Sequence, residues 1–454
     1  MKKNEEYIVD IEDNGFQGEG IAKKDDFTLF IPNCIKGEKV KVKVLKVGKK
    51  IAFGKVIEVI EKSHYRKEID CEYFPKCGGC NLRHIDYDYT IEMKKKSVEN
   101  TLAKAIGRSV EIDDIIKMDS PYYYRNKLQY PVGIDKNGNP VMGIFREKSH
   151  DIIEVKKCLI QDEKNQEIAN ELFLFIKNNN IPVYDEKSRE GSIRHIIVRS
   201  GKKTGEVMII IVSNTDTIVN EETESKLVKH IVSKYPEVKV IAKSINKKNT
   251  NVILGNKVEN IYGEGYIEDK IGECRFKISP LSFYQVNPIQ TEKLYNKAIE
   301  YAQLCGNEII FDLYCGIGTI GICASMKAKK LYGIECIDAA IKNARENAKI
   351  NNIENAEFFA GNVEDFLPDF ISKNKIKPDI VFIDPPRKGC ENSALETILE
   401  IEPEKIVYVS CNPATLGRDL KKLEEKYEIK KVAICDMFPW TSHCESITAL
   451  ERKN

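Results

Sequence analysis

The chain has 454 residues, 42% of them hydrophobic and 31% charged, with 71 basic residues against 70 acidic ones and a formal net charge of +1. That length exceeds one ordinary domain, because cores stop growing near ~250–300 residues, so two or three domains are expected. No apolar run approaches the ~18 residues that cross a bilayer, and the opening Met-Lys-Lys-Asn-Glu-Glu lacks the apolar core of a secretory signal. No membrane contact and a cytoplasmic location are therefore expected, and fourteen cysteines in such a chain point to thiols and metal ligands rather than a disulfide framework.

Residues 1–62 alternate apolar and polar positions in short runs, such as Val40-Lys41-Val42-Lys43-Val44, broken by Gly15, Gly18, Gly20, Pro32 and Gly37. This pattern predicts a small β-barrel, an architecture that often binds oligonucleotides. Lys36, Lys39, Lys41, Lys43, Lys46, Lys49 and Lys50 crowd a stretch whose one acid is Glu38. A phosphate backbone and a solvated face both fit such a patch.

Next come Cys71, Cys77 and Cys80, with Cys158 as the natural fourth ligand. Four thiolates suit zinc or an iron–sulfur cluster. The Cys-x5-Cys-x2-Cys spacing with a remote partner is neither the two-pair zinc ribbon nor the Cys-x3-Cys-x2-Cys of radical enzymes, which favours a structural or RNA-binding 4Fe–4S cluster over a catalytic one. Residues 88–106 change to helical spacing through Ile91, Val98, Leu102, Ala103 and Ile106. From 121 to about 278 strand signals return around one helical stretch near 163–178. Residues 63–278 thus read as a central α+β domain, with its segment 88–120 placed to pack on the domain that follows.

From 290 onward strands and helices alternate, which predicts a doubly wound parallel sheet over 279–454. Ile310–Gly321 runs a strand into a Gly-x-Gly turn at Gly316 and Gly318, and Glu335 ends a second strand about 20 residues on, the spacing that grips ribose hydroxyls. The loop lacks the three-glycine dinucleotide fingerprint, so S-adenosylmethionine suits it better than NAD. Asp384 ends an apolar strand ahead of Pro385-Pro386, beside the cofactor position. Arg387 follows, where methyltransferases acting on exocyclic amines usually carry an aromatic residue, and this disfavours N-methylation.

Cys411 follows the strand Lys405–Val409 at the carboxyl edge of the sheet, where open α/β folds place their ligands, and Asn412-Pro413 stiffens its loop. It reads as a nucleophile, with Cys315 and Cys390 as packing residues. Glu445, opening a final strand, makes sense as a general base beside a cysteine nucleophile. His443 either assists or packs.

Together these motifs resemble the bacterial RNA (uracil-5-)-methyltransferases of the TrmA/RumA type, over nearly the whole chain. Residues 1–62 look like a TRAM domain, and the Cys71, Cys77, Cys80 and Cys158 quartet looks like the cluster ligands of the ribosomal-RNA members. Ser282–Asn287 resembles the family's Phe-x-Gln-x-Asn motif, which implies that Gln285 contacts S-adenosylmethionine with Tyr314, Glu335 and Asp384. Ser410-Cys411-Asn412-Pro413 looks like the nucleophile motif, and Glu445 falls where the family carries its base. Asn81 departs from the polar residue that many members have after the last cluster cysteine. The resemblance implies methylation of uridine C5 in 23S rRNA by a monomer, on a base flipped from its stack. Tyr124-Arg125-Asn126-Lys127 and Arg194-His195 are candidate RNA contacts, or plain surface charge. The same chemistry on tRNA, an RNA-binding iron–sulfur protein with an inactive methyltransferase fold, and a cytosine-C5 enzyme are the alternatives. The Cys411 and Glu445 pair argues against the second, and the lack of a Pro-Cys or Thr-Cys motif against the third.

Overall fold

The computed structural model describes residues 1–453. The N-terminal alternation forms a six-stranded barrel-like sheet between Glu6–Asp10 and Ile51–Glu61. In Lys39–Val47 the valines turn inward and the lysines outward, so Val40, Val42 and Val44 join Val9, Leu29, Ile31 and Ala52 in a core of their own. The lysine patch divides. Lys39 and Lys41 pair with Glu61 and Glu6 across the sheet, whereas Lys36, Lys46, Lys49 and Lys50 stay in solvent. Glu38 is buried and pairs with Arg66.

The helix Tyr87–Ile106 starts on an Asp86 cap and ends on Gly107 in the left-handed region. It packs against the helix Pro413–Leu423, where a β-carbon on Gly417 would stand 2.6 Å from that of Ala105. Only glycine there lets the two helices touch. The strand Asp114–Ile116 then pairs parallel with Tyr427–Cys435. Residues 87–116 therefore build onto the C-terminal sheet.

The central sheet has seven strands from Lys127–Ile134 to Lys257–Tyr262. Two helices cover it: the expected one at Glu163–Asn178, and Glu221–Lys234, which sequence periodicity missed because only Leu227 and Ile231 of its face are buried. The hairpin Ile267–Ile271 and Cys274–Ile278 stands apart from this sheet and shares a core with the C-terminal helices.

The C-terminal sheet runs Ala356–Ala360, Lys330–Glu335, Ile309–Leu313, Ile380–Ile383, Lys405–Ser410, Glu445–Arg452, Tyr427–Cys435 and Asp114–Ile116. The first five are parallel, and Glu445–Arg452 is antiparallel to both of its neighbours. This is the doubly wound α/β architecture with one reversed strand, Glu445–Arg452, near one edge. The chain order reverses between Ile309–Leu313 and Ile380–Ile383, the position at which such sheets open a ligand crevice beyond their carboxyl ends. Among the described residues, no helix is long and apolar enough to cross a membrane.

Candidate active site

Three acids stand around that crevice. Tyr314 and Gly316 carry the chain over it in left-handed conformations, with φ of 62° and 56°. The Gly316 N–H donates to Glu335 Oε2 at 3.2 Å, and Glu335 Oε1 accepts from Ile337 N at 3.0 Å, which pins the loop to the end of the second strand. A β-carbon on Gly316 would meet nothing within 4 Å, so the crevice side of this loop is open. Tyr314 donates to Glu364 at 2.9 Å.

Asp312, which sequence reading passed over, lies buried beneath the loop. Its Oδ2 accepts from Gly321 N at 2.9 Å, while its Oδ1 has no partner among the described residues. Burial pushes its pKa up to about 8, and the nearby charges of Asp384 and Glu335 push the same way. Burial likewise raises Asp384 to about 7. Carboxylates held this far above their ordinary range favour a cation between them. An open glycine turn, a ribose-reaching acid and unneutralised buried carboxylates together fit S-adenosylmethionine, whose sulfonium is cationic. Gln285 is buried in the segment ahead of the helix Pro288–Ala302, whose first turn Asn287 caps.

Cys411 occupies the turn between the strand Lys405–Ser410 and the helix Pro413–Leu423. Asn412 caps that helix at Ala414 N (3.1 Å) and also donates to the Arg387 carbonyl at 3.1 Å. The turn after Pro385-Pro386 is thus tied to the cysteine turn. Burial pushes the Cys411 thiol up to about 11, with Glu445 and Asp384 adding to the shift and Arg387 opposing it. Burial raises Glu445 to about 8, Asp384 adding and Arg387 again opposing. Ser410 pairs with Ser446 across the antiparallel ladder, so Cys411 and Glu445 extend from one end of two neighbouring strands.

A cavity opens over Cys411. Arg387, His443, Lys94, Ser97 and Phe16 are among its walls. Phe16 comes from the N-terminal barrel and is 51% exposed, so a barrel side chain reaches the mouth of the C-terminal site. Sequence reading missed both Phe16 and Lys94, since neither lies in a motif. His443 lines the cavity wall, and burial lowers its pKa.

The cysteine quartet is also brought together. Cys71, Cys77, Cys80 and Cys158 line one cavity with Tyr73, Phe74, Ile144 and Ile160, and the Gly79 N–H points at Cys77 Sγ from 3.3 Å. Among the described residues, however, no group of three or more His, Cys, Asp or Glu side chains stands close enough to hold a single metal ion. The expected ligand set therefore lines one cavity without forming a metal site among the described residues.

Of the candidate RNA contacts in the central domain, Arg125, Lys127 and His195 are half-buried and the other three are buried. Tyr124 and Asn126 are buried, Tyr124 donates to the Pro439 carbonyl at 3.1 Å, and Arg194 is buried with its guanidinium on the carbonyls of Asn246 and Lys248. These residues hold loops together, because a buried cation needs carbonyl acceptors when no phosphate is present. Desolvation lowers the pKa of Lys127 to about 7.

The sequence pattern of the tRNA (Uracil-5-)-methyltransferase family matches residues 86–453, and that of the TRAM domain matches residues 2–57. The chain belongs to the tRNA (uracil-5-)-methyltransferase family. This methyltransferase is 49% identical to an uncharacterized RNA methyltransferase of Clostridium acetobutylicum, over 100% of this chain and 98% of that one. A counterpart from Halalkalibacterium halodurans, also uncharacterized, is 43% identical over 100% and 98% of the two chains. Among solved structures, the Pyrococcus abyssi tRNA (uracil-54, C5)-methyltransferase in complex with S-adenosyl-L-homocysteine superposes with a TM-score of 0.78 at 28% identity, covering 98% of this chain and 100% of that one. The chain thus joins a TRAM domain to the methyltransferase region of this family.

Proposed function

We propose that this methyltransferase converts uridine to 5-methyluridine in 23S rRNA, with Cys411 as nucleophile and Glu445 as general base. The observation that carries the reading is the placement of Cys411 and Glu445 at one end of paired strands, beside the crevice bounded by Asp312, Glu335 and Asp384. Uracil C5 is a weak nucleophile until something adds to C6. The Cys411 thiolate adds there, the C5–C6 electron pair moves into the ring as an enolate, and C5 then attacks an electrophilic methyl. S-adenosylmethionine, when bound, supplies that methyl from its sulfonium. Glu445 takes the proton from C5, the pair left behind re-forms the C5–C6 double bond, and Cys411 departs as thiolate. A thiol serves because it both adds and leaves.

With its pKa at about 11, Cys411 is mostly protonated in the free protein at neutral pH. Arg387 and a cationic cofactor both act to lower it, which links thiolate formation to assembly of the complete site. Gln285, Tyr314, Gly316, Glu335 and Asp384 are the proposed cofactor contacts. Cys71, Cys77, Cys80 and Cys158 are the proposed ligands of a 4Fe–4S cluster. Four thiolates are the ligand set that such a cluster would take. Phe16 would stack on a nucleotide next to the flipped uridine, a contact that tolerates any base.

The cysteine quartet favours ribosomal RNA. The tRNA activity named for the Pyrococcus abyssi relative favours the same chemistry on tRNA, the second reading. Protein purified without oxygen, given labelled S-adenosylmethionine and separate unmodified ribosomal and transfer RNAs, decides between them when the nucleosides are identified by mass spectrometry. 5-Methyluridine in 23S rRNA, lost in Cys411→Ala, is the expected result. Label in tRNA alone would replace the substrate and keep the mechanism. Absence of iron and sulfide from that protein would remove the cluster.

A further inference from the structure

The residue that follows the last cysteine of the quartet joins three parts of the molecule. Asn81 Nδ2 donates to the Gln17 carbonyl of the barrel at 2.6 Å and to Ser442 Oγ at 3.3 Å, and its Oδ1 accepts from Ser442 N at 3.0 Å. Its own N–H and that of Leu82 both donate to the Trp440 carbonyl, at 3.1 and 3.0 Å. Trp440 has φ of 66°, a left-handed conformation that an ordinary residue keeps only where its surroundings enforce it. Here they do. The Trp440 indole is buried, donates to the Pro121 carbonyl at 2.8 Å, and lies under the Arg83 guanidinium at 4.7 Å.

The barrel side of the junction is equally close. Gly18 has φ of 84°, and a β-carbon there would stand 2.0 Å from Leu82 Cδ2, so the turn that carries Phe16 and Gln17 rests directly on the Asn81–Leu82 segment. On the catalytic side, Ser442 is followed by His443 and Cys444 of the cavity wall and then by Glu445. A single amide therefore fixes both the loop that leads into Glu445 and the turn that carries Phe16.

We infer that Asn81 is a positioning residue: it couples the cysteine-bearing segment and the barrel to the 440–445 loop, and so sets where Glu445 stands over the nucleotide. This rests on the reading of Glu445 as the base. The amide oxygen holds Ser442 N, and the nitrogen holds the barrel carbonyl and reaches Ser442 Oγ as well.

Hydrogen exchange on the whole protein, purified without oxygen, tests the loop without reference to activity. In Asn81→Ala the amides of 440–445 should exchange at least about tenfold faster than in wild type, with the central strands unchanged. Unchanged exchange in that loop would overturn the inference whether or not the enzyme methylates uridine. Reaction with unmodified RNA supplies the second readout. In Asn81→Ala, proton abstraction should slow more than addition, so methylated RNA still bonded to Cys411 should accumulate and run as a slow band on denaturing gels. Asn81→Asp keeps the acceptor for Ser442 N but loses the barrel donor, so it should bind RNA several-fold more weakly without accumulating the adduct. A parallel loss of adduct and product in Asn81→Ala, or full turnover in it, would also overturn the inference. Absence of methylation in wild type, alongside loosened exchange in Asn81→Ala, would instead remove the proposed reaction and leave the coupling in place.

Discussion

Ser410 and Ser446 face one another across two antiparallel strands, and the next residue outward on each is the proposed nucleophile, Cys411, on one strand and the proposed base, Glu445, on the other. The reversed strand near one edge of the sheet makes this possible. A parallel strand in that place would bring its amino end to the opposite edge, far from Cys411. Strand direction thus brings Glu445 to the end of the sheet that carries Cys411, across more than thirty residues of sequence.

The division of labour predicts different failures for the two residues. Cys411→Ala should form no bond to RNA and no product. Glu445→Gln keeps the thiol and the cofactor crevice, so addition and methyl transfer proceed and the adduct is stranded. Its turnover should fall by about 10²–10⁴-fold, the usual contribution of a positioned base. Denaturing gels of labelled RNA should show the slow band in Glu445→Gln and not in Cys411→Ala; the reverse pattern would exchange the assigned roles.

The buried acids make stability depend on pH in a definite direction. Asp384 and Asp312 move from an ordinary 3.8 up to about 7 and about 8, and Glu445 from 4.5 up to about 8. Each holds its proton more tightly folded than unfolded, so the stability it contributes is complete below about pH 4 and is lost as the pH rises to about 8. Asp384→Asn cannot ionise. It should raise the melting temperature of the cofactor-free protein at pH 8 and make much less difference at pH 5. The gain should be on the order of 1–4 kcal/mol. S-adenosylmethionine should stabilise wild type more at pH 8 than at pH 5, since a cation favours the ionised acids. Scanning calorimetry at the two pH values checks both statements.

Phe16 offers a test of the barrel's part. Half of its ring is exposed at the mouth of the Cys411 cavity. Stacking of a base on an aromatic side chain is worth ~1–3 kcal/mol. Phe16→Ala should therefore weaken RNA binding by about 5–150-fold, leave S-adenosylmethionine binding alone, and lower kcat less than it raises KM. Filter binding and steady-state kinetics would show it. Equal binding by the variant would remove the ring from the RNA path.

The placement of most candidate site residues was legible in the sequence because each motif sits at the end of one strand, where local spacing and sheet geometry coincide. Gly316, Glu335, Asp384 and Cys411 are of this kind. What the sequence hid depends on contacts between distant segments. Phe16 reaches the cavity from another domain, Asn81 acts through hydrogen bonds 64 and 361 residues away, and Asp312 is notable only for an oxygen that finds no partner. Lys127 and Arg194 failed in the opposite sense, because a basic residue on a strand carries no mark of which way it faces. The helix Glu221–Lys234 escaped for want of a broad apolar face.

The helix Tyr87–Ile106 is tied to the catalytic loop by one buried ion pair, Lys94 Nζ to Asp436 Oδ1 at 2.5 Å, with both side chains only 2% exposed. Lys94 also donates to the Phe438 carbonyl at 3.2 Å, and Tyr87 donates to Asp436 Oδ2 at 2.8 Å. Removing one partner strands the other charge out of water, which typically costs ~3–5 kcal/mol, whereas removing both spares that penalty. Lys94→Met should therefore destabilise the protein by about that amount, and Lys94→Met with Asp436→Asn by clearly less. Urea unfolding of the single and the double variant measures this. Equal deficits in the two would show that the lysine acts by packing rather than by its charge.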